Sequence, residues 1–176
     1  MTNQTEQQTV APLPALQSGL FWLWISVLVI ALDLITKFAV VDAMSLGESI
    51  QILPFFNFTY VHNYGAAFSF LSDAGGWQRW FFTAIGVGAV GLILYWLKQM
   101  PKNQKLQGVA FTLILGGAIG NLYDRNVYGY VVDFLHFYYQ NWHFPAFNIA
   151  DIAISCGAGL LIIEILFFSS EQDEAK

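Results

Sequence analysis

Leu20-Phe-Trp-Leu-Trp-Ile-Ser-Val-Leu-Val-Ile-Ala-Leu-Asp-Leu-Ile-Thr-Lys-Phe-Ala-Val-Val41 is long and oily enough to cross a bilayer, which takes about 20 apolar residues. It nevertheless carries Asp33 and Lys37. Ionisable side chains in such a run are costly and mark a pairing or functional site. Three later segments, 77–97, 106–123 and 148–168, approach the same length. The chain therefore reads as an all-α membrane protein of four transmembrane helices. Composition agrees: 56% of residues are hydrophobic and only 11% are charged, where a soluble domain carries about 25%.

The 176 residues suit one domain, placed at 20–170. Residues 1–19 are polar, with Pro12 and Pro14, and read as a disordered tail; 171–176 form a second, acidic tail. No Lys or Arg precedes Lys37, so a secretory signal peptide is not expected and the first apolar segment should stay in the membrane. The link Lys98-Gln-Met-Pro-Lys-Asn-Gln-Lys105 is rich in lysine and should face the cytoplasm. Four spans then put both tails in the cytoplasm and the loops 42–76 and 124–147 outside. The seven Lys and Arg form no basic face, which argues against nucleic-acid binding. The single cysteine, Cys156, excludes an internal disulfide and a cysteine-based metal site; its apolar flanks read as those of a buried, inert thiol.

The outer loops carry pattern. In Phe56-Asn-Phe-Thr-Tyr-Val-His62 a ring recurs at alternate positions, the period of a strand, and a small sheet reaching about Leu71 is expected. The segment 126–139 is rich in Val, Tyr, Phe and Leu and reads as a surface-lying piece, part helix, able to cover a site as a lid. Tryptophans at both ends of the spans fit interfacial belts.

Several polar groups interrupt this apolar sequence. Asp33 and Lys37 are one helical turn apart and form either a self-neutralising pair or one that orients another group. Asn63-Tyr-Gly-Ala-Ala-Phe68 is either an ordinary turn or an edge for binding a peptide, with Gly65 permitting close backbone approach. In Gly116-Gly-Ala-Ile-Gly-Asn-Leu-Tyr-Asp-Arg125, Gly116 and Gly120 make a small-residue contact face. Asn121 and Asp124 share a side of that helix. Asp124, near a helix C-terminus, needs a cation, which Arg125 or Lys37 can supply. Asp133, in Val131-Val-Asp-Phe134, has no nearby base, and burial among its neighbours would raise its pKa. Asn148 suits an N-cap, placing Asp151 at the third helical position. Asp151 there is either a capping acid or a carboxylate kept ionised by the helix terminus. If the two meet, Asp151 should be the ionised member and Asp133 the proton holder. Glu164 lies near the opposite end and should snorkel. His62, His136 and His143 lack metal-ligand spacing. No zinc-protease, serine-hydrolase or phosphate-loop motif appears.

Asp33-Leu-Ile-Thr-Lys37, Asn63-Tyr-Gly-Ala-Ala-Phe68, Gly116 to Arg125, Val131-Val-Asp-Phe134 and Phe147-Asn-Ile-Ala-Asp151 together resemble bacterial lipoprotein signal peptidase (signal peptidase II). The resemblance implies an aspartic endopeptidase of the bacterial inner membrane with its active site on the outer side. Its substrates would be prolipoproteins, cut just before a diacylglyceryl-modified cysteine. It maps catalytic aspartates onto Asp133 and Asp151. It maps site-supporting or substrate-contacting positions onto Asp33, Lys37, Asn63, Gly65, Asn121, Asp124, Arg125 and Asn148. The implied fold is four transmembrane helices, an outer β-sheet cradle and a surface helix, working as a monomer among membrane lipids without metal or organic cofactor. Two other readings stand beside it: a proton-coupled carrier, since intramembrane acids also make proton relays, and a non-catalytic assembly protein.

Overall fold

The buried positions of the first spanning segment are Ser26, Val29, Asp33 and Lys37. Their spacing by three, four and four residues is that of one helix face. The molecule, a computed structural model that describes residues 13–65 and 75–167, builds that face into α1 (Leu23–Ala43). α2 (Trp77–Gln99), α3 (Lys105–Val127) and α4 (Ile149–Phe167) follow. All four are long and apolar enough to cross a membrane.

α3 is the central helix and packs on the other three. Small residues let it do so. A Cβ on Gly116 would meet the Val29 side chain of α1, one on Gly117 would meet the Ala150 carbonyl of α4, and one on Gly120 would meet the Asp33 carboxylate. The small-residue face expected from Gly116 and Gly120 is therefore real, and Gly117 extends it to a second neighbour. Where lipid offers no hydrophobic drive between helices, such close backbone contact carries the association. Ser26 Oγ adds a bond to the Thr112 carbonyl at 2.7 Å.

The helices alternate in direction, so α1 and α3 end, and α2 and α4 begin, at one end of the bundle. That end carries an antiparallel sheet of β1 (Ser49–Leu53), β2 (Phe56–Asn63), β3 (Val131–Tyr139) and β4 (Trp142–His143), in that order. The expected strand at Phe56–His62 is β2. Its register with β3 shifts between Phe58 and Val61, after which Val61 faces Asp133 and Asn63 faces Val131. The expected continuation to Leu71 falls largely on residues 66–74, outside the described residues.

The surface helix and lid expected within 126–139 are corrected. α3 runs to Val127, Gly129 takes the left-handed conformation (φ 88°), and the chain turns into β3. This strand carries the aspartate rather than covering it. Val131 to Phe134 are all buried: β2 pairs one edge of the strand, and the returning segment at Phe147 bonds Phe134 and Leu135 along the other.

The amino-terminal tail is also shorter than expected. Ala15–Gln17 and Gly19–Trp22 are 3-10 turns and Ser18 is fully buried. Gly19 N–H donates to the Met100 carbonyl at 2.7 Å, and Lys102 N–H to that of Gln17 at 2.9 Å. These bonds fasten the chain to the lysine-rich link at the end opposite the sheet. The rest of the first expected tail, 1–12, and the whole of the second, 171–176, lie outside the described residues.

Gly117→Val should cost about 1–3 kcal/mol of stability, because neither the Ala150 carbonyl nor the helix carrying it can yield to the added methyls. Thermal unfolding in detergent, with an exposed control such as Gly88→Val that meets nothing within 4 Å, checks this.

Candidate active site

Asn148 sits just before α4 and closes a reciprocal cap with Asp151. Asp151 N–H donates to Asn148 Oδ1 at 2.9 Å, and Asn148 N–H donates to Asp151 Oδ2 at 3.3 Å. The N-cap and third-position assignments thus hold. The cap also does a second job. The Asn148 side-chain amide donates to Asp133 Oδ1 at 2.7 Å, so one residue touches both aspartates. The segment before α4 folds back onto β3, where Phe147 bonds Phe134 and Leu135.

Asp133 and Asp151 line one cavity of about 1040 Å³ between the sheet and α4, with Asn63, Asn121 and Arg125 also in its walls. Asp133 is 1% exposed, whereas Asp151 is half-buried. Asn63 Nδ2 donates to Asp133 Oδ2 at 2.9 Å, and Asn121 Nδ2 donates to Asp151 Oδ1 at 2.8 Å. Burial, then the charge of Asp151, pushes the Asp133 pKa up from 3.8 to about 7, against the opposing hydrogen bonds from Asn63 and Asn148.

Behind the cavity lies a fully buried charge cluster. Lys37 Nζ is 2.8 Å from Asp33 Oδ2, 2.9 Å from Asp124 Oδ2 and 3.0 Å from Asn121 Oδ1. Asp33 Oδ2 has no hydrogen bond of good direction, so its link to the ammonium is chiefly electrostatic. Asp33 Oδ1 accepts the Ala150 N–H at the start of α4, and Asp124 Oδ2 accepts the Val132 N–H of β3. The cation that Asp124 requires is Lys37. Arg125 turns instead to the Gly65 carbonyl at 3.1 Å and lies over the Phe82 ring.

All ten residues singled out from the sequence thus fall in the cavity wall or the network behind it. Glu164 lies apart and accepts a bond from Gln107. Cys156 is exposed and lines the cavity, contrary to the buried thiol expected. The sequence reading set aside His62, His136 and His143 for lack of metal-ligand spacing and passed over Thr59, yet all four stand in the same wall. His136 Nε2 lies 3.2 Å from His143 Nδ1 across the β3–β4 turn. Among the described residues no three potential metal ligands cluster.

The family model for signal peptidase (SPase) II matches residues 25–167. The chain belongs to the signal peptidase II family. It is accordingly a protease. Among its relatives, the lipoprotein signal peptidase of Alteromonas mediterranea is 63% identical over 90% of this chain and 87% of that protein. That of Pseudoalteromonas translucida is 57% identical over 90% and 96%. A solved bacterial membrane enzyme at 34% identity superposes with a TM-score of 0.76 over 86% of this chain and 90% of its own. The fold of this signal peptidase is thus shared well beyond its near relatives.

With Asp133 raised to about 7, the folded protein holds a proton between pH 4 and 7 that the unfolded chain has released, so this group's contribution to stability falls as pH rises through that window. Asp151→Asn removes the second cause and should lower the Asp133 midpoint. Carboxyl-resolved NMR titration reads this directly, and an unmoved midpoint would mean that burial acts alone.

Proposed function

We propose that the chain removes signal peptides from prolipoproteins, cutting on the amino-terminal side of a diacylglyceryl-modified cysteine, with Asp133 and Asp151 as the catalytic pair. The observation that carries this reading is that two carboxylates of unequal burial share one cavity and one bridging asparagine. Lipoprotein signal peptidase relatives support the substrate class.

The unequal environments assign the roles. Asp151, half-exposed in the first turn of α4, is the carboxylate that takes a proton from water. Asp133, buried on β3, keeps its proton near neutral pH and gives it to the scissile carbonyl oxygen. The tetrahedral intermediate collapses as a proton returns to the leaving amine. Because the two acids are coupled, their titration steps belong to the pair. Asn63, Asn121 and Asn148 hold the carboxylates in place, Gly65 and Arg125 fasten the end of β2 beside the cavity, and Asp33, Lys37 and Asp124 brace them from behind. The chemistry uses no metal or organic cofactor.

The lysine-rich link and the sheet lie at opposite ends of the bundle. A cytoplasmic link therefore puts both tails inside and the sheet and active site outside, in a bacterial inner membrane. The acyl chains of the substrate then stay in the outer leaflet while its peptide lies along the sheet. A monomer with one domain suffices. A carrier would hold its polar site near the bilayer midplane, whereas this network gathers at the sheet end.

Purified protein in detergent, given a lipidated preprolipoprotein, should release the shortened product. Asp133→Asn and Asp151→Asn should each reduce the rate by about 100-fold or more while the protein remains folded. Wild-type processing by either variant would remove the pair from the mechanism.

A further inference from the structure

Each of the three asparagines that donate to the aspartates has its orientation dictated by a group that can only donate. Gly65 N–H bonds Asn63 Oδ1 at 3.0 Å, which turns the Asn63 amide hydrogens onto Asp133. Asp151 N–H bonds Asn148 Oδ1, which turns that amide onto Asp133 as well. Both of these setters are backbone groups in short local turns. Asn121 differs, because its oxygen accepts from the ammonium of Lys37 on another helix at 3.0 Å, with the Asn148 amide as a second, longer donor at 3.2 Å. An ammonium has three donors and no acceptor. With Asp33 and Asp124 on its other sides and 1% exposure, Lys37 has nowhere else to turn. The amide hydrogens of Asn121 must then face Asp151 Oδ1.

We propose that Lys37 is a positioning residue for the aspartate pair: by holding the Asn121 oxygen it aims that amide's N–H at Asp151, keeps Asp151 the ionised partner, and leaves the proton to Asp133. The inference rests on the aspartic-peptidase reading above. Asp151 Oδ1 meets the Asn121 N–H and Oδ2 meets the Asn148 N–H, so a proton on either oxygen would face a donor. Asp133 also receives two N–H bonds, so donor number alone does not divide the pair. What divides it is the burial of Asp133 and the one-way polarity of the Lys37–Asn121 link, which ends on Asp151 alone. The other ionisable groups around the pair are Asp33 of α1, Asp124 and Arg125 of α3, His62 of β2 with Tyr64 just beyond it, His136 of β3, His143 of β4 and Cys156 of α4. Asp33 and Asp124 are tied to Lys37, and Arg125 attracts both catalytic carboxylates.

Asn121→Asp tests this with almost no change of shape. One oxygen stays on Lys37 and the other replaces the NH2 against Asp151, where two oxygens at that distance need a shared proton. We expect kcat at neutral pH to fall about 100-fold with KM within about 3-fold, and the acid limb of the kcat profile to move up by about one pH unit or more. Infrared spectroscopy supplies a readout independent of turnover. The protonated-carboxyl band at neutral pH should vanish in Asp133→Asn but persist in Asp133→Asn/Asn121→Asp. The triple variant Asp33→Asn/Lys37→Met/Asp124→Asn removes the donor without leaving an unpaired buried charge, and its acid limb should also shift. An unshifted pH profile in both Asn121→Asp and the triple variant, or no carboxyl band in the double variant, overturns the proposal. Cleavage by Asp133→Asn alone would instead overturn the peptidase reading beneath it.

Discussion

The Lys37 ammonium lies between the carboxylates of Asp33 and Asp124, within 3 Å of each and sealed from solvent. Those two acids reach on to the first turn of α4 through Ala150 and to β3 through Val132. α1, α3, α4 and the central strand therefore meet at one charge. Desolvating such ions costs several kcal/mol each, and removing one partner typically costs about 3–5 kcal/mol because it strands the others. Two acids share one base, and each also accepts a backbone N–H, one of these at a helix N-terminus. Within a bilayer no water stands ready to complete an unfinished network, which is why the cluster closes upon itself.

From that anchor the site follows by short steps. Asn121 links the cluster to Asp151, Asn148 links Asp151 to Asp133, and Asn63 fastens Asp133 to the neighbouring strand. Asparagine suits these joints because it presents an acceptor and donors on one rigid amide. The one long side chain in this chain of contacts, Lys37, is sealed in place, so the carboxylates have little freedom to drift. That is the preorganisation that acid–base catalysis rewards.

Much of this was legible in the sequence, for identifiable reasons. The spans were legible because their length and oiliness have few alternatives. The Asp33–Lys37 pair and the Asn148–Asp151 cap were legible because both depend on spacing within one turn of helix. Other features depend on what lies across space. Spacing alone left Arg125 and Lys37 as equal partners for Asp124, and only the α1–α3 contact chooses Lys37. β3 was misread because an apolar, aromatic run flanked by few charges suits a surface helix equally well; Gly129 and the β-branched Val131–Val132 pair were the signals that favour a strand. Cys156 was misread because apolar neighbours imply burial only in water, whereas in a bilayer they also imply an outward face. The histidines were noted only for lacking metal-ligand spacing, because His136 and His143 come together only when β4 folds back along β3.

The two aspartates hang from different kinds of element, one from a strand and one from the first turn of a helix, and Asn148 spans the seam. Neither half owns a site. A chain with its helices inserted but its sheet unmade has Asp151 without Asp133, and a sheet formed away from the bundle has the reverse. On the proposed mechanism, hydrolysis therefore requires both layers to be docked, because each supplies one carboxylate and Asn148 joins them.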